Sequence, residues 1–288
     1  MAKVGFLGAG VMGAEMALRL LQAGHEVAVY NRSPQKLSSL LKAGARQAAS
    51  PAEAATGCDM VISMVGDDEA SRAVWLGPNG ALEAAMASNA ILVESSTLSR
   101  AWILDLDRLA ASKGLRFLDC PVTGGPDGAR AGQLTLLLGG DRDAVTDAMT
   151  VLTAYSDKSF YFGPVGMGTS YKLIVNMMGA VQAVAAAEGL LVAEKLGLDL
   201  DVVAKALGEG AVASPLVKYI VTRMVKADHQ DVYFSARWRH KDAVYALGQS
   251  TAAGQATPVS EATCKVFQTV LDRGWGDLNS SIVIEALR

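Results

Sequence analysis

The stretch "KVGFLGAGVMGAEMALRL" opens the chain and restricts its fold more than any other segment. A short apolar run passes through Gly8, Gly10 and Gly13 into an amphipathic stretch. Glycines in GxGxxG spacing between a strand and a helix have three uses. The first permits a tight turn, the second lets a pyrophosphate approach the backbone, and the third lets helix and strand pack closely. The helix N-terminus then faces the anion. At the head of an alternating α/β chain the motif reads as a dinucleotide-binding turn, and Val11 and Met12 within it belong to the same candidate cofactor site.

That alternation holds up to about residue 163. "KVGFLG", "HEVAVYN", "MVISMV", "AILVES", "LRFLDCPV" and "LTLLLGG" read as buried strands. Helical pieces such as "AEMALRLLQAG" and "SPQKLSSLLKAG" lie between them, each closed by glycine. The pattern predicts a mostly parallel sheet covered on both faces, an α/β Rossmann domain over 1–163. From Ser170 the strand signal fades. One long apolar helix is expected over about 170–197, followed by helical stretches at 199–208, 214–227, 239–253, 259–273 and 278–287. Residues 164–288 therefore read as an all-helical C-terminal domain, with the long helix as the spine joining the two.

The second strand indicates which dinucleotide is bound. A carboxylate usually ends it when the ribose hydroxyls of NAD are to be bound. Here "HEVAVYNRSPQK" offers Asn31, Arg32 and Ser33, with no charge to repel a 2′-phosphate and a guanidinium able to pair with one. NADP(H) is therefore expected over NAD, the alternative being that Arg32 is a solvated loop charge. Met64 and Val65, at the end of "MVISMV", are assigned to the cofactor site as well. "ESSTLSR" also ends a strand, on the edge where open α/β sheets bind ligands. Ser96 and Thr97 are candidates for the nicotinamide end, with a helix N-cap at Thr97 or Ser99 as the competing use. "DCPVTGGPDGARAGQL" follows another strand, and the backbone of Gly124 and Gly125 with the Thr123 hydroxyl forms a candidate nest for a carboxylate.

Composition excludes several classes. A formal charge of −3 over 288 residues gives no basic footprint for nucleic acid. The apolar stretch Leu173 to Ala187 is broken by Asn176 and Gln182 and falls short of the roughly 20 residues of a membrane span. No apolar signal segment precedes the first strand. Cys58, Cys120 and Cys264 are odd in number and far apart, without CxxC spacing. They read as buried small hydrophobes in a reduced cytoplasmic protein, with no metal site.

"GMGTSYKLIVNMMGA" places Lys172 and Asn176 one turn apart on one helix face among Leu173, Ile174, Val175, Met177 and Met178. Spacing alone leaves a solvent-reaching lysine equally open. Together with "GFLGAGVMGAEMALRL…GHEVAVYNRS", "DCPVTGGPDGARAGQL", "GPVGMGTSYKLIVN" and "HKDAVYAL", however, the chain resembles the β-hydroxyacid dehydrogenase family over residues 3 to 288. This is the 3-hydroxyisobutyrate dehydrogenase and glyoxylate/succinic semialdehyde reductase group. The resemblance implies a Rossmann domain and a helical domain joined by a long helix. It implies Lys172 as catalytic lysine, Asn176 as its support, and Thr123, Gly124 and Gly125 as the loop that holds a substrate carboxylate. It also implies Lys241, followed by Asp242, as a lysine serving substrate and nicotinamide. Where the family's loop often has serine, Thr123 keeps the hydroxyl and adds a methyl that narrows the pocket.

The expected activity is NADP(H)-dependent interconversion of a small β- or ω-hydroxyacid and its semialdehyde or keto-acid. Lys172 would exchange the proton, its charge disfavoured by an apolar setting and a helix N-terminus. Self-association into a dimer or tetramer is also expected. The competing readings are an imine reductase, against which Lys172 and Asn176 argue, and a non-catalytic NADPH-binding interaction module. His25 reads as a turn residue, and His229 and His240 as surface histidines. Arg237, Arg239, His240 and Lys241 in "ARWRHKD" read as a solvated helix start, or else as one contact to an anionic group.

Overall fold

Alternating apolar residues send each central strand into two different layers. In the computed structural model, which describes all 288 residues, Val4 and Phe6 of β1 (Lys3–Leu7) enter one core while Leu7 enters the other. Met60 and Ile62 against Val61 in β4 (Met60–Ser63), and Ile91 and Val93 against Leu92 in β5 (Ile91–Glu94), divide the same way. Strands buried on both faces in this manner need helices on both sides. These are supplied by α1 (Val11–Gln22), α2 (Ser38–Lys42), α3 (Pro51–Ala55), α4 (Asp68–Leu76), α5 (Arg100–Ser112), α6 (Gly125–Ala131) and α7 (Arg142–Leu152).

The other strands are β2 (Glu26–Tyr30), β3 (Arg46–Gln47), β6 (Arg116–Asp119), β7 (Val122–Thr123), β8 (Leu134–Gly140) and β9 (Ser156–Gly163). The sheet order is β3-β2-β1-β4-β5-β6-β8-β7, with β9 paired to β8. All neighbours from β3 to β6 are parallel, whereas β8 runs antiparallel to β6 and β7. The chain leaves β1 first to one side and then to the other, so β1 is the switch point where such sheets open a crevice for ligands. The sequence reading missed β9: its "SDKSFYFG" is half polar and largely exposed, so hydropathy gives no buried strand.

The chain divides into two compact units, 1–172 and 173–288. The division falls within α8 (Met167–Lys195), which begins three residues before the expected helix. By length and composition alone α8 could cross a bilayer, contrary to the sequence expectation. Part of its apolar surface has another use, because Ala180, Ala183, Val184, Ala187 and Leu190 are buried in the core of the second unit. They pack with residues of α10 (Pro215–Val225), α12 (Pro258–Asp272) and α13 (Val283–Leu287). With α9 (Leu200–Glu209) and α11 (Ala236–Ala252), these complete the helical unit. Asp199, Ser214 and Ser235 start α9, α10 and α11 by accepting first-turn N–H groups, which fixes boundaries within three residues of those read from sequence.

One side-chain placement here agrees with expectation and one differs. The three cysteines are buried and unpaired as read, and burial pushes the Cys58 and Cys264 thiols up to about 11. His229, however, is not on the surface. It is 6% exposed, with Nδ1 2.8 Å from Ser281 Oγ. No hydropathy signal marks it, since it sits in a polar loop.

Burial lowers the His229 pKa from its usual value near 6.5. The folded state thus binds fewer protons than the unfolded chain, so the group's stabilisation is full above about pH 6.5 and is lost as pH falls below it. Wild type and His229→Gln, compared by thermal unfolding between pH 7.5 and 5, should converge as the pH drops. A constant difference would contradict this.

Candidate functional site

Three loops leave the C-terminal ends of β1, β4 and β5, and side chains lock them together. Gly8, at φ +100°, adopts a backbone that L side chains rarely occupy, and a Cβ there would lie 2.3 Å from Met64 O. A Cβ on Gly13 would lie 2.0 Å from Gly8 O, so the start of α1 needs glycine to approach the turn. Around Gly10, by contrast, a Cβ would meet nothing within 4 Å, leaving an open cradle at the helix start. Gly10 itself caps α1 without a side-chain hydrogen bond, and Val11 is 73% exposed while Met12 is half-buried. The first N–H groups of α1 thus lack the side-chain acceptor that caps α3, α4, α5 and α7. That geometry fits a phosphate group.

Asn31 braces this turn from the end of β2. Its Oδ1 accepts from Ala9 N at 3.0 Å and its Nδ2 donates to Ser33 O at 2.9 Å. The amide is therefore committed to backbone, and the exposed guanidinium of Arg32 is the charge at this strand end. Ser33 is half-buried beside it.

Glu94, at the end of β5, is fully buried and was not singled out from sequence. It accepts from Ser71 Oγ, Trp75 Nε1, Ser96 N and Ser96 Oγ. Ser96 Oγ in turn accepts from Val65 N, and Ser71 Oγ from Trp102 Nε1. Burial pushes the Glu94 pKa upward, against the pull of these donors. The network ties the loop carrying Met64 and Val65 to the loop carrying Thr97. It also gives Ser96 another use than the one expected: the buried hydroxyl donates to Glu94 and accepts from Val65 N, which makes it a brace between loops. Thr97 is half-buried, and Ser99 is the N-cap of α5, accepting from Trp102 N at 3.2 Å.

The fourth strand end, Asp119 of β6, carries the other carboxylate that the sequence reading passed over. It is fully buried, and its Oδ1 and Oδ2 accept from Gly166 N at 2.7 Å and Thr169 N at 2.6 Å. These N–H groups open α8, so a carboxylate three strands along the sheet from the glycine turn caps the helix on which Lys172 lies one turn later. The fit is close: a Cβ on Gly139 would lie 2.3 Å from Asp119 Oδ1, and one on Gly168 would lie 2.2 Å from Leu137 O. Burial raises the Asp119 pKa against these two backbone donors. After β6 the chain forms β7 and reaches the candidate carboxylate loop, where Thr123 and Gly124 are exposed and Gly125 is half-buried at the start of α6.

In the second unit, Asn176 Nδ2 donates to Asp242 Oδ2 at 2.7 Å. Lys241 Nζ lies 3.1 Å from Asp242 Oδ1, an ion pair without hydrogen-bond alignment. It also lies 5.5 and 5.0 Å from the ring centroids of Trp238 and Tyr245. Asn176 and Lys241, assigned to the site separately from sequence, thus meet on Asp242, which the motif "HKDAVYAL" supplied without a stated role. The solvated helix start expected for "ARWRHKD" is only half right. Arg237 is exposed and pairs with Asp277 at 3.0 Å, but Arg239 and Asp242 lie on the buried stripe of α11. His240 is half-buried, and burial lowers its pKa.

The model for the NAD-binding domain of 6-phosphogluconate dehydrogenase matches residues 3–163. The model for the NAD-binding domain of NADP-dependent 3-hydroxyisobutyrate dehydrogenase matches residues 166–287. Among curated proteins, glyoxylate/succinic semialdehyde reductase 1 of Arabidopsis thaliana is 34% identical over 286 residues, covering 99% of this chain and 98% of that protein. The chloroplastic reductase 2 of the same plant is 34% identical over 285 residues, covering 99% and 79%. Among solved structures, Mycobacterium tuberculosis 3-hydroxyisobutyrate dehydrogenase with L-serine superimposes with a TM-score of 0.90 at 30% identity, covering 100% and 99%.

Asp119→Ala should leave two buried first-turn N–H groups without acceptors and cost about 2–4 kcal/mol. Denaturant unfolding followed by circular dichroism measures this, and a loss below about 0.5 kcal/mol would remove Asp119 from that role.

Proposed function

Because the chain belongs to the β-hydroxyacid dehydrogenase family of NAD(P)-dependent oxidoreductases, we propose that it is an NADP(H)-dependent reductase of small aldehyde- and keto-acids, working reversibly on the matching hydroxyacids. The observation that carries this reading is the placement of Lys172 and Asn176. They stand one turn apart at the start of α8, both half-buried, with the helix start capped by Asp119 and the Asn176 amide fixed by Asp242.

Gly8, Gly10 and Gly13, with Val11 and Met12, take the pyrophosphate at the uncapped start of α1. Arg32 pairs with the 2′-phosphate, beside a strand end that carries no carboxylate. Met64, Val65 and Thr97 line the nicotinamide end, held in register by Glu94 and Ser96. Thr123, Gly124 and Gly125 hold the substrate carboxylate, and Lys241 adds positive charge to the binding of substrate and nicotinamide. Bound NADPH supplies the hydride. Lys172 gives a proton to the carbonyl oxygen as that oxygen takes up the electron pair of the broken C=O π bond. In the reverse direction it accepts the hydroxyl proton. Asn176 Nδ2 is anchored on Asp242, so its Oδ1 is the atom available to orient the ammonium or the substrate hydroxyl. Buried thiols support a reducing, cytoplasmic setting. The exposed stripe of Tyr171, Ile174 and Met178 on α8 supports self-association.

Lys172→Ala should keep NADPH affinity within about threefold and lower kcat by about 100-fold or more, in line with general acid–base contributions. Steady-state kinetics with fluorescence titration of NADPH checks this, and an unchanged kcat sinks the role of Lys172. Arg32→Asp should reduce the NADPH-over-NADH preference in kcat/KM by about tenfold or more, through loss of a charge-assisted contact and gain of repulsion. An unaltered preference clears Arg32.

A further inference from the structure

Glu94 closes β5 with a fully buried carboxylate whose donors are all neutral. They are the hydroxyls of Ser71 and Ser96, the Trp75 indole and the Ser96 peptide N–H, at 2.5 to 3.1 Å. Arg72 lies over the Trp102 ring, but it is exposed and faces Asp105 at 3.9 Å. Hydrogen bonds, not a counter-ion, therefore offset the cost of taking this carboxylate out of water.

The hydrogens around Glu94 have a fixed direction. Ser96 Oγ accepts from Val65 N at 2.8 Å, and Ser71 Oγ accepts from Trp102 Nε1 at 2.9 Å. Each hydroxyl thus has its own hydrogen left for the carboxylate, and the indole and peptide N–H groups can only donate. A proton on Glu94 would oppose one of these four hydrogens. Burial alone favours the neutral acid, but the surroundings of both oxygens are those of an anion.

This charge stands next to the loops at the ligand edge of the sheet. Ser96 Oγ couples it to Val65 N in the loop after β4, so Val65 is two hydrogen bonds from the carboxylate. Thr97 directly follows Ser96 in the loop after β5. All of these residues belong to the unit 1–172.

Giving up hydride turns a neutral dihydronicotinamide ring into a cation, and a fixed negative charge nearby favours the cation. We propose that Glu94 acts through its charge on the nicotinamide end of the cofactor, binding NADP⁺ more tightly relative to NADPH than a neutral residue there would. The same charge assists reduction, because it favours the ring that has lost hydride. This rests on the reading that Val65 and Thr97 line the nicotinamide end.

Calorimetric titration with NADP⁺, NADPH and adenosine 2′,5′-bisphosphate, which lacks the nicotinamide half, tests this in wild type and two variants. Glu94→Gln removes the charge and keeps the shape. It should weaken NADP⁺ relative to NADPH by about three- to thirtyfold, the effect of a unit charge over roughly 8–12 Å at effective dielectric constants of about 20 to 40. Adenosine 2′,5′-bisphosphate should bind as it does to wild type. Ser96→Ala keeps the charge and cuts the link to Val65, so both cofactor affinities should fall together and their ratio should hold. An unmoved ratio in Glu94→Gln overturns the proposal. So does the same shift in Ser96→Ala, which would assign the effect to loop geometry. An equal loss of all three ligands in Glu94→Gln would make Glu94 a support of the fold and overturn it as well. The new amide of Glu94→Gln meets the Trp75 indole N–H. If that variant does not fold, Glu94→Gln combined with Trp75→Phe removes the opposed donor and carries the same expected shift. If wild type binds neither NADP⁺ nor NADPH, the cofactor reading fails and the proposal falls with it. If both bind and the ratio stays in place, only the proposal falls.

Discussion

The two hydrogen bonds that Asp119 accepts, from Gly166 N and Thr169 N, decide where α8 begins. Helix starts leave N–H groups without intrahelical partners, and most starts in this chain solve that locally with a serine or aspartate at the cap. Here the acceptor comes from a strand 47 and 50 residues earlier than the two donors. A strand end, and with it the sheet that carries the glycine turn, thereby fixes the first turn of the helix that bears Lys172. A proton donor placed this way has its backbone held by two charge-assisted bonds in a buried setting.

Glu94 does related work one strand away. Both carboxylates end adjacent parallel strands, β5 and β6, with Glu94 in register with Asp119. Both are fully buried and spend their oxygens on donors from the loops and helices that follow the strands: α4 and the Ser96 loop for Glu94, the start of α8 for Asp119. Buried carboxylates with every contact donated to them are costly to desolvate but rigid once formed. The loops most exposed to a ligand are thus held by the least exposed charges.

Much of this was legible in the sequence because periodicity and glycine spacing report backbone demands directly. The GxGxxG turn, the two-layer strands β1, β4 and β5, and the helices α9 to α12 follow from rules that hydropathy and turn chemistry encode. The misses share a different cause. β9 is half polar and exposed, so it satisfies no burial rule although its backbone pairs with β8 across two register irregularities. Asp119, Glu94, His229 and Arg239 are polar residues buried by tertiary partners, and a hydropathy pattern assigns each to the surface. On α11 the buried stripe includes Arg239 and Asp242, so its periodicity is invisible to apolar residues alone. The strand-end acids did offer one signal, an acidic residue closing an otherwise apolar strand just before a functional loop.

The central claim is that this framework reduces small aldehyde- or keto-acids with NADPH. It is tested most directly by following oxidation of NADPH and NADH by the wild-type protein with glyoxylate, malonic and succinic semialdehydes and small 2-oxo acids. The account predicts substrate-dependent, saturable oxidation of NADPH, faster than that of NADH at equal concentration, with the hydroxyacid as product. Tight NADPH binding with no turnover of any member of that panel would contradict it.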